Sequence, residues 1–206
     1  MSMLSQENSG MTDIDTVANE HTITGNEDLM RRFFPAAFVC TKDNAFVVTW
    51  MDITQWEFMY NLATEAGFRV QRWPLVWIKT HPCINQANQY NFTKNIEFAM
   101  VCRKPTAVLA KGAPTCVVEA SNMDARKEFN HPFVKPYAIW AFIAEHVSTE
   151  GQLILEPFAG RGSGVISLLK MKRQVVGVEI NEAHYNALLE NVKKYYLTLN
   201  PRFILS

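Results

Sequence analysis

The residues best suited to chemistry lie toward the C-terminal end of the chain. It reads Glu156-Pro157-Phe158-Ala159-Gly160-Arg161-Gly162-Ser163-Gly164, and a β-branched run ending in Glu179 follows. Three glycines in five residues let the backbone approach a ligand closely where a helix begins. An acidic residue about 20 positions on, at the end of the next strand, accepts hydrogen bonds from a ribose diol. Gly160 and Glu179 have that spacing. The third glycine of a dinucleotide fingerprint is replaced by Val165, and the Gly-Lys-Ser/Thr ending of a phosphate-cradling loop is absent. Glu156 adds a carboxylate ahead of the glycines, suited to an ammonium. A ligand that is an amino acid at one end and a nucleoside at the other fits all three features: S-adenosylmethionine (SAM). The alternative is a tight strand-to-helix turn that holds nothing.

These residues need a strand–turn–helix frame, and the pattern predicts one. Residues 152–155 read as a short buried strand, 165–172 as a helix, 174–179 as a strand and 182–196 as a helix. Upstream, 44–50 (NAFVVTW) reads as a strand. Trp56, Met59, Tyr60 and Ala63 give 54–66 a helical period, with Thr54 to cap it and Gly67 to end it. Residues 69–79 read as a strand whose Pro74 suggests an edge or a bulge. Trp73 and Trp77 alternate along it and are assigned to the core. Residues 96–104 read as a further strand and 136–147 as a helix with Pro136 near its first turn. Residues 80–95 read as a polar loop, and 105–130 as irregular with a small strand at 116–119. Residues 1–28 read as a polar tail or long loop ahead of a domain spanning 29–206. Alternating strands and helices predict an α/β fold with a mostly parallel sheet. Only 46 residues follow Gly160, so the other strands must precede the loop, in a circularly permuted order.

Composition narrows the function classes. The 20 basic and 20 acidic side chains cancel, which excludes a uniformly basic nucleic-acid binder. They are unevenly spread. Residues 69–104 carry Arg69, Arg72, Lys79, Lys94, Arg103 and Lys104 against Glu97 alone, which suits either a polyanion-facing segment or a solvated face. The four cysteines are dispersed, with no C-x-x-C pair, arguing for free thiols in a reducing compartment. No stretch approaches the about 18 apolar residues of a membrane span, and no apolar leader is visible. A cytoplasmic protein with no membrane partner is expected.

Two further segments fall into order with the loop: His131-Pro132-Phe133-Val134-Lys135-Pro136 before it, and Val76-Trp77-Ile78-Lys79, Tyr90-Asn91-Phe92 and Glu97 earlier still. Together they resemble the permuted (β-class) amino-methyltransferases of DNA, chiefly adenine-N6, over residues 29–196. Glu156 stands where that family more often has Asp. The resemblance implies a Rossmann-like SAM-dependent methyltransferase sheet, circularly permuted, with SAM as cofactor and DNA as partner. The methyl group would pass to the exocyclic amine of a flipped base. It implies catalytic-side strands and a base-pocket loop in 29–104, a short target-recognition segment in 105–130 and a SAM-binding part in 131–206. His131 and Lys135 would help hold the methionine carboxylate. Glu156, Phe158, Gly160, Gly162 and Ser163 would line the cofactor, and Glu179 would bind the ribose. Tyr90, with Phe92 beside it, is the candidate for stacking on the base. Arg69, Arg72, Lys79, Lys94, Arg126 and Lys127 are the candidates for DNA contacts. A viral or mobile-element origin would suit a small solitary enzyme of this kind.

One departure stands out. The family's catalytic motif, (Asp/Asn/Ser)-Pro-Pro-aromatic, lies at the end of a central strand and orients the target amine. This chain has no Pro-Pro pair, so no catalytic residue is assigned. The motif would precede 44–50, where residues 1–10 lack a strand's apolar pattern. The expectation is a sheet without its central strand, beside 152–155. Three explanations stand: a truncated enzyme, a strand supplied by a second chain, or a catalytically inactive relative that binds SAM or DNA as the partner of another methyltransferase.

Overall fold

The computed structural model describes residues 23–82, 90, 92–112, 114–131 and 133–199. The first helix, α1 (Ile23–Cys40), begins inside the segment read as a polar tail. Its apolar positions explain this. Phe34 is fully buried, and Met30, Phe33, Ala37 and Phe38 share its side at helical spacing. They pack on Met59 and Ala63 of α2 (Trp56–Glu65) and on Met100 and Cys102 of β4 (Ile96–Arg103). A 3-10 turn, Ile53–Gln55, leads into α2; Asp52, not Thr54, caps it, its carboxylate accepting from the Thr54 N–H at 3.0 Å. Gly67 ends α2 with φ +104°, and a Cβ there would press to within 2.8 Å of the Phe38 ring.

Five strands form the larger sheet: β1 (Phe46–Met51), β2 (Arg69–Val70), β3 (Leu75–Lys79), β4 and β5 (Val117–Ala120). Their order is β1-β4-β3-β5, with β2 also against β4. β4 is antiparallel to β1, β2 and β3, while β3 and β5 are parallel. The run 69–79 is therefore two strands. β3 is interior rather than an edge, and Pro74 stands just before it, where its missing N–H leaves the ladder intact. The break separates the two tryptophans: Trp77 is fully buried and donates to the Ala120 carbonyl, whereas Trp73 is 59% exposed on the turn, not in the core.

Part of the segment read as irregular is helix α3 (Met123–Phe129). It is followed by α4 (Tyr137–Val147), with Pro136 in extended conformation at its N-cap. The second sheet has two parallel strands, β6 (Leu153–Glu156) and β7 (Gln174–Gly177), joined through α5 (Ser163–Lys170). α6 (Glu182–Leu199) follows, and its Leu188 packs on Ala159 and Val165. α4 lies between the sheets: Ile139 and Ile143 meet Trp50, Trp77, Val118 and Ala120 of the larger sheet, and the helix also packs on α5.

The two sheets are not joined. β1 and β6 each pair with one neighbour only, among the described residues. The Lys135 ammonium lies 4.7 Å from the Trp50 ring near the C-terminal end of β1 and acts electrostatically on Glu156, the last residue of β6. No helix among the described residues is long and apolar enough to cross a membrane.

Candidate functional site

The βαβ unit places its special residues at the C-terminal ends of β6 and β7, where open α/β sheets present ligands. β6 ends in Glu156, and the chain turns through Pro157–Gly162 into α5. Gly160 and Gly162 adopt φ +54° and +90°, values that a Cβ disfavours. A Cβ on Gly164 would collide with the Glu156 carboxylate and lie 2.7 Å from Trp140. The third glycine is thus what lets α5 close over the acid. The loop is tied at three points. The Ala159 N–H donates to Val178 O at 2.9 Å, the Arg161 guanidinium donates to the Phe129 and Asn130 carbonyls, and Asn191 donates to Arg161 O.

Glu179 lies beyond the end of β7. Its two oxygens accept from the Gly160 N–H at 2.7 Å and the Asn181 N–H at 2.8 Å. A carboxylate has about four lone-pair positions, so Glu179 organises the loop and retains an acceptor on each oxygen for a diol. Ile180, next in sequence, is fully exposed. Phe158 is half-exposed and touches Phe33 of α1 at 5.7 Å. Sequence reasoning did not single out Ile180, an apolar side chain directly after Glu179. Ser163 opens α5.

Burial pushes the Glu156 carboxyl up to about 8, against the pull of Lys135. It therefore carries a proton at neutral pH while no cation is beside it. Trp140, whose ring also faces Gly164, has a buried indole N–H without a partner among the described residues. His131 packs edge-on against His184 at 5.4 Å, and its Nδ1 accepts from the Phe133 N–H at 3.3 Å. Burial first, then the charges of His184, Arg161 and Lys135, hold its pKa below the usual range, so the ring is neutral at pH 7.

Lys135 acts electrostatically on Glu156 but is held from the other sheet. Its ammonium is 3.3 Å from Glu97, whose other oxygen binds Lys79 at 2.5 Å. Burial pushes the Glu97 carboxyl up, but the two lysines outweigh it, and it titrates below the usual range.

The predicted DNA contacts divide between the two ends of the larger sheet. Lys79 is at the C-terminal end and neutralised by Glu97; Lys94 pairs with Asp52 at 3.5 Å. Arg69 is opposite Arg103 at the other end, with the exposed Arg72 in the following turn, roughly 15 Å away along β3. Arg126 and Lys127 ride on α3, whose end is fastened to the glycine loop by Arg161. Tyr90 is 80% exposed and Phe92 fully exposed. Residues 83–89, Asn91 and Pro132 lie outside the described residues.

No curated protein matches the chain. Solved structures that share its fold include the following two. One is described as the M1.HpyAVI–SAM complex, with TM-score 0.72, 18% identity and 82% of this chain aligned to 84% of that one. The other is PvuII DNA methyltransferase (cytosine-N4-specific), with TM-score 0.66, 12% identity and 97% of this chain aligned to 83% of that one. The family model described as DNA methylase, which covers N6 and N4 enzymes, matches residues 12–190. The chain belongs to the N6/N4 DNA methylase family.

Proposed function

We propose that the chain binds SAM at the C-terminal ends of β6 and β7 and serves methyl transfer to the N6 amine of adenine in DNA. The observation that carries this reading is the pair Glu156 and Glu179 flanking the glycine loop. One is a half-buried acid at the end of β6, and the other is a loop-organising acid with acceptors to spare. Glu156 suits the ammonium and Glu179 the ribose diol. Phe158 and Ile180 offer apolar surface for a purine. SAM, when bound, supplies an electrophilic methyl group for direct displacement by an amine. The chain's part is positioning, which dominates such catalysis. A base must leave the duplex to reach the site, and the exposed rings of Tyr90 and Phe92 are the candidates to stack on it. Lys94, Arg126 and Lys127 are the nearer candidates for phosphate contact; Arg69 and Arg72 would touch DNA only if it wraps to the far end of the sheet.

A second reading is favoured by the open edges of β1 and β6 and by the missing Pro-Pro pair. The chain would bind SAM or DNA and take its catalytic strand from a second polypeptide, or serve another methyltransferase as a partner. Calorimetry with SAM, melting with and without SAM, and transfer of labelled methyl to duplex DNA test both readings. Saturating SAM at 100 times Kd should raise the melting point by about 5–10 °C. Label on adenine from the chain alone supports the first reading, and label on cytosine corrects its target. SAM binding without transfer supports the second. No SAM binding refutes the cofactor site.

A further inference from the structure

Trp77 and Trp140 both keep an indole nitrogen away from solvent, but one of the two is paired and the other is not. The N–H of Trp77 donates to the Ala120 carbonyl at 3.0 Å. That of Trp140, in α4, is buried and has no acceptor among the described residues. An indole nitrogen is a donor only, and a buried donor without an acceptor is uncommon in a folded chain. The edge of the ring that bears it faces the glycine turn. A Cβ built on Gly164 would lie 2.7 Å from Trp140 Cζ2, the carbon beside the one bonded to Nε1, and 2.8 Å from Glu156 Cδ. The indole edge and the Glu156 carboxyl thus flank one point at the start of α5, and glycine leaves that point empty. Glu156 is half-buried at the end of β6. No hydrogen bond from a described residue reaches its carboxyl group. Its backbone carbonyl already accepts from the Val178 N–H at 2.9 Å, so the side chain is the acceptor it has to offer. A donor and an acceptor stand side by side, unbonded.

We infer that Trp140 is a positioning residue for Glu156: its indole N–H bonds to the carboxylate when a ligand ammonium settles on the acid, and this turns the other oxygen toward that ammonium. That the ligand is SAM rests on the reading above; the pairing of Trp140 with Glu156 does not. A rotation of the Glu156 side chain suffices, because the two groups are already neighbours. In the empty site the acid is protonated at neutral pH, and a neutral carboxyl is a weaker acceptor than a carboxylate. In the loaded site the acid is ionised, and each of its oxygens takes a charge-assisted bond, one from the indole and one from the ligand. Binding therefore satisfies a donor that the empty site leaves unmatched, and this adds to affinity. Trp140 acts through Glu156 and does not touch the ligand.

The test uses the full chain, W140F and E156Q, with melting curves to establish that each folds. Heteronuclear NMR resolves the indole N–H signals, and the one missing from W140F belongs to Trp140. Without ligand, raising the pH across 6–9 should move this signal downfield as Glu156 ionises. Lys135 is the charge that acts on the Glu156 carboxyl; Trp140 of α4 and Gly164 of α5, which flank it, carry none. E156Q keeps Lys135 and the nearby histidines, so in that variant the movement with pH should vanish. Saturating SAM at neutral pH should move the wild-type signal in the same direction. Calorimetry with SAM gives the second readout. Wild-type affinity should rise with pH as Glu156 ionises, and W140F should bind about tenfold more weakly at the alkaline end, the loss of one bond to a charged acceptor. A signal that stays still in both titrations, or equal affinity in W140F and wild type, overturns the positioning role. If W140F does not fold, the signal is assigned through its proximity to Gly164, and its behaviour in wild type and E156Q decides. If SAM fails to bind the wild type at any pH while the signal follows Glu156, the cofactor reading fails and the pairing stands.

Discussion

At the scale of single residues, the site is set by two acids in contrasting environments. Glu179 is bonded by two backbone N–H groups, and Glu156 packs beside Trp140 and Gly164. Glutamine at position 156 keeps the shape and removes the charge. E156Q should weaken SAM binding about 10- to 100-fold at pH 8–9, the range expected for losing one charge-assisted bond, and should abolish the rise of affinity with pH. The same substitution reports on stability. The folded carboxyl titrates at about 8, above its unfolded value, so its contribution is fully present below the unfolded pKa and is lost as pH rises through 8. Glu97 has the opposite sign: its lowered pKa gives stability that is lost as pH falls through the folded value. Wild-type melting temperature should therefore decline between about pH 5 and pH 8 relative to E156Q, and equal curves would show that Glu156 ionises freely. E179A removes the acceptor of the Gly160 and Asn181 amides. It should weaken SAM binding and speed hydrogen exchange at Gly160 together; unchanged binding would release Glu179 from a ribose role.

At the scale of elements, the glycine turn is rigid because α5 approaches β6 so closely. G164A should cost about 1–3 kcal/mol, from overpacking against Glu156 and Trp140, and should lower the melting point by roughly 2–10 °C. A variant as stable as the wild type would mean that the acid can swing aside. This turn was legible in the sequence because its determinants are local: glycines, an acid ahead of them and an acid one strand later. The strands near 44–50 and 96–104 were legible for the same reason, being short β-branched runs. What was not legible depended on partners far along the chain. α3 has two buried residues, Ala125 and Phe129, too few to mark a helical period over seven residues. Trp73 leaves the core because the turn before Pro74 ends the strand. Lys135 carries a charge that suits a carboxylate ligand, yet its partner Glu97 comes from another sheet, and no spacing rule connects them. The first turn of α1 is polar and was read as tail, since the stripe that makes it helical starts later, at Met30.

At the scale of the whole molecule, the unresolved tension is between one fold and two sheets. β1 is uncharged, FVVTWM, with Thr49 its one polar residue, and β6 begins Leu-Ile-Leu. Natural edge strands are protected by charge, proline or bulges, and these two have none in their interiors. Leu153 and Leu155 of β6 and Val176 and Val178 beside them are about half exposed or more, although parallel strands are ordinarily covered on both faces. Such strands have the composition of a sheet interior. They would form the two sides of a slot, and these sides are linked through α4, which packs on the larger sheet and on α5. If a second polypeptide completes the sheet, the backbone groups facing the slot are unpaired in the chain alone and should exchange with solvent readily. Hydrogen exchange on the isolated chain should find 153–156 protected far less than β4, which is paired on both sides at Phe98, Ala99, Cys102 and Arg103. β1, bonded on one side, should fall between them. Equal protection of β6 and β4 would mean that the slot is already filled, and the reading in which a second chain supplies the strand would fall. Weak protection of β6 that strengthens when a candidate partner chain is added, with protection appearing at β1 in the same sample, would locate that partner between the two sheets. Protection gained at β6 alone would instead place it on the exposed leucine and valine face.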